Sequence, residues 1–280
     1  MNGRGAAISL RIAQAIPVVI GVIVISFLLT RALPGDPAVQ FAGAAATPES
    51  IEQVRQSLGL DKPLPEQFII YVGQLLQGDL GQSVSTGRPV IQELAARLPA
   101  SLELTLVALI LSCAIAIPLG ILAATRPGSW VDQLCRLLVT AGVSLPTFFT
   151  GLVLIYVFYY LLGIAPSPLG RLDFIYLDPP HVTGFFLIDS LLDGDPATFM
   201  GALRQLILPA ATLALFTLAP IARMTRAAML SALGADYIRT ARAAGLNRGK
   251  ILYGYAFRNA LLPVVTTLGM VFSFVLGANV

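Results

Sequence analysis

The chain has 280 residues, of which 56% are hydrophobic and only 12% charged, and its formal net charge is +3. Soluble domains carry about twice that share of charge, and the mean hydropathy is +0.80. A disordered chain, a collagen-like fibre and an ordinary soluble enzyme are excluded, which leaves an all-α integral membrane protein with several spans. Two cysteines, Cys113 and Cys135, are too few for a disulfide framework, and each sits in or beside an apolar run, so no bridge is expected. No basic face stands apart from the loops between spans, so no nucleic-acid partner is indicated.

Five uncharged stretches reach, or nearly reach, the roughly 20 residues that a helix needs to cross a bilayer. They are Ile12 to Thr30, Leu104 to Thr125, Leu137 to Gly170, Gln205 to Ala222 and Asn259 to Val280. The third is long enough for one span plus a re-entrant or interfacial tail around Pro166 and Pro168. Ala44, Ala45 and Ala46 follow the first stretch, as a signal-peptide cleavage site would. They lie too far past the apolar run, and the run is long for such a peptide, so an uncleaved anchor is expected.

Charge sorts the loops. With a cytoplasmic N-terminus, the inside segments hold 11 basic residues against two acids, Asp132 and Asp236. The outside segments, Arg31 to Glu103 and Arg171 to Arg204, hold 7 basic and 13 acidic residues. Excess Lys and Arg in short loops marks the cytoplasmic side, so the N-terminus is predicted inside. Five spans then place the last residues, Leu276 to Val280, on the outer side with no polar tail. At least one further span is expected beyond them.

The segment from 31 to 103 reads as an external helical cap. Thr47-Pro48-Glu49 has the pattern of an N-cap and first turn, with Ile51, Val54 and Leu58 at helical spacing and Gly59 as a stop. A second helix is predicted from Pro65 to Gln77, ended by Gly78. Pro89 to Leu98 reads as a short amphipathic helix lying in the headgroup plane. Such a cap either closes the external face or docks a delivery protein. The second external segment is acidic and holds the only histidine, His181. A metal site would cluster several such ligands, so His181 is expected to be simply solvated. The chain thus divides into an N-terminus and first span (1–30), the cap (31–103) and a core (104–280) that contains a cytoplasmic loop at 223–258.

Enzyme signatures are missing. There is no HExxH, no GxSxG and no His/Cys cluster at metal spacing. Gly245 to Lys250 has the outline of a phosphate loop, but it is one residue short and Ile251 stands where Ser or Thr should hold magnesium. No ionisable residue lies in the core of any of the five stretches. An ion-coupled relay would need one. The prolines within the spans (Pro17, Pro118, Pro146, Pro209, Pro220 and Pro263) suit a bundle that moves rather than a static one.

Arg223 to Arg258 holds seven basic residues and by composition is an ordinary positive-inside loop. Read as a helix from about Ala235, it brings Tyr237, Thr240, Ala241 and Ala244 close together. Gly245 can end that helix in a left-handed turn, and a second helix restarts near Gly249.

The order of residues here carries more. Asp236-Tyr237-Ile238-Arg239-Thr240-Ala241-Arg242-Ala243-Ala244-Gly245-Leu246, followed by Arg258-Asn259-Ala260-Leu261-Leu262-Pro263-Val264, resembles the cytoplasmic signature of ABC importer permeases. Within them it is similar to the peptide/nickel family, the first permease subunit of dipeptide and oligopeptide importers. Leu33-Pro34-Gly35-Asp36-Pro37, Gly78-Asp79-Leu80-Gly81, Arg97-Leu98-Pro99, Ser144-Leu145-Pro146, Ile207-Leu208-Pro209-Ala210 and Arg223, Thr225 and Arg226 agree with it, so the resemblance covers nearly the whole chain.

The resemblance implies a type I ABC importer transmembrane domain in the bacterial inner membrane, with a sixth span after the fifth. It also implies a second homologous permease, ABC ATPases inside that carry ATP and magnesium, an external substrate-binding protein, and surrounding lipid. The cytoplasmic loop would be the coupling helix that docks on an ATPase, through Asp236, Tyr237, Arg239, Thr240, Ala241, Arg242, Ala244 and Gly245. The general motif's Glu-Ala-Ala falls on Arg239, Thr240 and Ala241. The Glu is therefore Arg here, and Gly245 to Pro263 is longer than in sugar-type permeases. No catalytic, cofactor or metal residue is implied. The expected function is ATP-driven import of peptides or similar small solutes. The rivals are a non-transporting scaffold, an ion-coupled secondary carrier and, more distantly, an intramembrane protease.

Overall fold

The computed structural model describes residues 2–32, 36–43, 46–83 and 85–279. Leu33-Pro34-Gly35 of the motif after the first span, and Ala44-Ala45, lie outside the described residues. The described chain is helical, with one isolated β-bridge, Gln82 to Pro89. It forms two compact units, residues 1–95 and 96–280. Among the described residues, four helical segments are long and apolar enough to cross a membrane, or five if one bent pair counts as a single span.

The first unit contains α1 (Asn2–Ala32), α2 (Pro37–Ala42), α3 (Pro48–Ser57) and α4 (Leu64–Leu76). Most of the α1 span is exposed, as suits a lipid-facing helix. Its one buried aromatic, Phe27, sits edge-on to Phe68 at 5.2 Å and beside Tyr71 at 5.8 Å. Arg31 stacks over Phe27 at 4.5 Å and donates to Gln67 Oε1 at 3.3 Å. The two helices predicted from Thr47 and from Pro65 form where expected. Thr47 accepts from Ser50 N at 3.3 Å to start α3, and Gly59 and Gly78 take positive φ after α3 and α4. Asp36 caps α2 and pairs with Arg55 of α3.

One expectation here is corrected. Pro89 to Leu98 does not form a separate interfacial helix. Val90 begins α5 (Val90–Thr125), which runs without a break through Pro99. Proline at 99 removes a single backbone donor, and the remaining helical bonds carry the helix across it.

The second unit is built around α9 (Pro196–Gly234), which packs against α6 (Trp130–Ser144), α7 (Thr147–Leu154), α8 (Phe186–Leu192), α10 (Asp236–Ala243) and α11 (Arg258–Asn279). Two glycines allow close approach of α9 to its neighbouring helices. A Cβ on Gly120 of α5 would lie 2.7 Å from Thr225 Cβ and 2.9 Å from Ala222 O. One on Gly142 of α6 would lie 2.9 Å from Leu215 O. Small residues at such crossings let backbones meet where lipid offers no hydrophobic drive.

The third stretch is bent rather than straight. α6 stops at Ser144, Leu145 is extended before Pro146, and α7 continues as a π-helical turn, Ile155–Leu161, at 106° to α6. A residue before proline is pushed out of the helical region, which places the break there. Pro166 and Pro168 follow in irregular chain. The fourth stretch is longer than its apolar core. α9 runs three turns past Ala222, to Gly234. The fifth begins earlier than Asn259, with a π-helical turn at Lys250–Phe257 that leads into α11.

Acidic residues predicted on the outside hold the second unit's irregular segment in place. Glu103, almost fully buried, accepts from Arg171 at 2.7 Å and from Leu187 N at 2.7 Å. Arg171 also stacks over Phe186 at 3.7 Å. Asp189, equally buried, accepts from Thr183 N, Thr183 Oγ1 and Gly184 N at 2.7–2.8 Å. Asp195 caps α9 through Ala197 N and Thr198 N. His181 is exposed, and no group of three or more potential metal ligands occurs among the described residues.

Candidate functional site

The predicted coupling residues form one short element. Ala235 turns the chain sharply after α9, at φ −73 and ψ 152, and α10 starts at Asp236. A carboxylate in the first turn suits the positive end of a helix. Asp236 also accepts from Arg239 Nη1 at 3.1 Å, and Thr240 Oγ1 donates back to Asp236 O at 3.2 Å.

Only two side chains of α10 point inward. Ile238 has no exposed surface and Ala241 very little. They are three residues apart, hence on one face. That face joins Ile121 and Ala124 of α5, Met229 and Ala232 of α9, and Ile251, Ala256 and Ala260 of the last span in one apolar cluster. The element is therefore fixed to the ends of three long helices by a small, well-buried foot. Tyr237, Arg239, Thr240, Arg242, Ala244 and Gly245 are all exposed.

The turn after α10 is a Schellman motif. Gly245 N donates to Arg242 O at 3.0 Å, and Leu246 N to Ala241 O at 3.2 Å. Gly245 takes φ +68, which glycine adopts without penalty. Leu246 folds back onto the same apolar cluster, the contact that usually accompanies this cap. A Cβ on Gly245 would meet no other atom within 4 Å, so the position is constrained by conformation and not by space within this chain. Asn247 Oδ1 then accepts from Gly249 N at 2.8 Å, and the π-helical turn starts at Lys250. Beside α10, a cleft of about 580 Å³ opens between Thr125, Pro127, Gly234, Arg242, Leu246 and Arg248.

A neighbouring constellation was not legible in the sequence. Asp132, near the start of α6, has no exposed surface. It accepts from Arg226 Nε at 2.5 Å and Nη2 at 3.0 Å, from Arg136 Nη2 at 3.0 Å and from Gly128 N at 2.9 Å. Arg226 lies on α9 one turn before Met229, which packs against the foot of α10. The pairing locks α6 to the half of α9 that carries α10.

Comparison with known proteins supplies the family. Residues 116–280 match the family described as binding-protein-dependent transport system inner membrane component, and residues 7–105 match the N-terminal region of such membrane components. The chain belongs to this family.

The chain is similar to the probable D,D-dipeptide transport system permease protein DdpB of Escherichia coli (strain K12), at 51% identity over 254 residues, covering 90% of this chain and 74% of that protein. It is 43% identical over 264 residues to the di/tripeptide transport system permease protein DppB of Pseudomonas aeruginosa (strain UCBPP-PA14), covering 94% and 78%. It is 41% identical over 263 residues to the dipeptide transport system permease protein DppB of Escherichia coli (strain K12), covering 93% and 77%. As a member of this family the chain is a transmembrane permease subunit of an ABC importer. It has the type I importer transmembrane domain, lies in the bacterial inner membrane with several passes, and works with a substrate-binding protein and ATPase subunits. The outer side of α10 is exposed in this chain, while its inner side is occupied by the apolar cluster.

Proposed function

We propose that this permease imports short peptides or closely similar solutes, and that α10 with the Gly245 turn is the element through which ATPase motion reaches the spans. The peptide assignment rests on the names of three relatives at 41–51% identity. The coupling assignment rests on one observation. Ile238 and Ala241 root α10 in a cluster shared by α5, α9 and the last span, while its opposite face stays exposed. A push on that face reaches three long helices at once through a foot that has no slack.

In this reading the N-terminus and the 223–258 loop are cytoplasmic, and the 31–103 segment caps the outside. The 104–280 core shares the pathway with a second homologous permease. ATP and magnesium are held by the ATPases, and this chain does no covalent chemistry. Tyr237, Arg239, Thr240, Arg242 and Ala244 form the docking face. Ala241 supports it from within, the exposed Asp236 begins it in the first turn, and Gly245 sets where it ends.

The test exploits the open space at Gly245. Asparagine tolerates the left-handed conformation, whereas valine does not, at a cost of roughly 1–2 kcal/mol. Gly245→Val is expected to abolish dipeptide uptake with membrane insertion unchanged, and Gly245→Asn to keep most of it. Wild-type uptake by Gly245→Val would refute the coupling role. Uptake of no peptide by the wild-type complex would refute the substrate assignment.

A further inference from the structure

The second unit contains a cavity of about 500 Å³ that coupling does not use. It is formed where Leu104 in the middle of α5, the first turns of α7, the 166–170 segment, the first half of α9 and the end of α11 converge. Its size is that of ordinary small-molecule sites. Its walls are apolar, with Phe148 and Leu208 among them, and no charged side chain lines it among the described residues. Four polar side chains do, namely Thr147, Thr212, Gln205 and Asn279.

Gln205 is the unusual member. It is 8% exposed, and its Nε2 is buried with no hydrogen-bond partner. Asn279 Nδ2 is in the same condition. Thr212 differs. Thr212 Oγ1 is spent on Leu208 O at 2.9 Å within its own helix. An unmade bond on a buried amide costs about 1–3 kcal/mol, so a carboxamide left in this state at a cavity wall marks a place where something else supplies the partner. A half-turn of the terminal amide exchanges its donor and acceptor ends at little cost. Gln205 can therefore present either end to an occupant.

We propose that this cavity is a transient substrate subsite on the permease, in which the Gln205 carboxamide pairs with a backbone amide of a short peptide while Phe148 and Leu208 cover an uncharged side chain. This deepens, and rests on, the peptide reading above. The chemistry selects within that class. With no charge in its lining, the cavity suits apolar side chains, and a Lys or Glu side chain would enter it without an ion partner. Recognition through a peptide group and one apolar side chain is loose enough for a solute that must also leave.

The experiment uses the complete transporter, purified from its native membrane with its partner subunits and reconstituted in vesicles. The probe is a dipeptide of photoreactive diazirine leucine and alanine, offered during turnover, with cross-linked residues located by mass spectrometry. Label is expected on Phe148 or Leu208, competed by unlabelled Leu-Ala and not by Lys-Lys. Gln205→Leu, which keeps the volume, is expected to lower the label by about three- to tenfold, the loss of one or two ordinary hydrogen bonds, with the complex still assembling and purifying at wild-type yield. Uptake of the probe without label in the cavity, or label indifferent to Gln205→Leu, would overturn the subsite and leave the peptide reading standing. Failure of the wild-type complex to take up any dipeptide would overturn both. A cavity filled by a further segment of the full-length chain would show as a Phe148→Cys thiol unreactive to small maleimides throughout turnover, and that too would overturn the subsite.

Discussion

Asp132 shows how one residue sets local geometry. Its carboxylate is fully buried and accepts four hydrogen bonds, three of them from two guanidinium groups. Removing one partner of a buried ion pair leaves the other charge uncompensated. Asp132→Leu is therefore expected to lower the thermal midpoint of the detergent-solubilised protein by several degrees, read by loss of the monodisperse peak on size exclusion. An unchanged midpoint would mean that the pair is not formed.

Asp189 allows a pH test at the same scale. Burial pushes its carboxyl up, but the bonds from Thr183 and Gly184 outweigh this and hold it below the usual carboxylate range. A carboxyl lowered in the folded state stabilises above its unfolded value, about 3.9, and that contribution fades as pH falls through the folded value. Hydrogen exchange at Thr183 and Gly184 is thus expected to stay slow, relative to intrinsic rates, down to about pH 4 and to quicken below it. In Asp189→Asn the exchange should already be fast at neutral pH.

Elements were legible in the sequence wherever run length or turn chemistry decided them. The cap helices, the Gly245 turn and the cores of the first, second, fourth and fifth spans follow from uncharged runs, N-cap residues and glycine stops. Other features depend on contacts that no local pattern records. Asp132 and Arg226 lie 94 positions apart, and each reads alone as an ordinary loop charge. Glu103 and Arg171 are 68 apart. The helix through Pro99 and the bend at Pro146 show the same residue type with opposite outcomes. At Pro99 the flanking residues stay helical, while at Pro146 the extended Leu145 breaks the run. Close approach of helices is also invisible locally. Gly120→Val would drive a side chain into Thr225 and the Ala222 carbonyl, and overpacking of this kind costs typically about 1–3 kcal/mol. A clear fall in folded yield is expected for Gly120→Val. Gly269→Val, where a Cβ meets nothing within 4 Å, should express normally.

Under the coupling proposed above, the second unit of the molecule works as a lever. α10 is the handle, its foot in the shared apolar cluster is the pivot, and the Asp132–Arg226 pair ties α6 to the moving half of α9. The bend between α6 and α7 lies at the other end of α6, next to the amide-lined cavity. Motion entering at Thr240 can therefore reach the cavity wall through elements that are ion-paired or close-packed along the way. The family assignment supplies the ATPase that would push. The exposed face of α10 is the place proposed for that push.

The most direct measurement is site-specific cross-linking of that face in native membranes. A single cysteine is placed at Thr240, with Cys113 and Cys135 replaced by serine, and treated with a short bifunctional maleimide reagent. The products are identified by mass spectrometry with and without ATP. A cross-link to an ABC ATPase subunit whose yield changes on ATP binding is the predicted result. A thiol that reacts freely with the reagent yet never joins an ATPase would contradict the account.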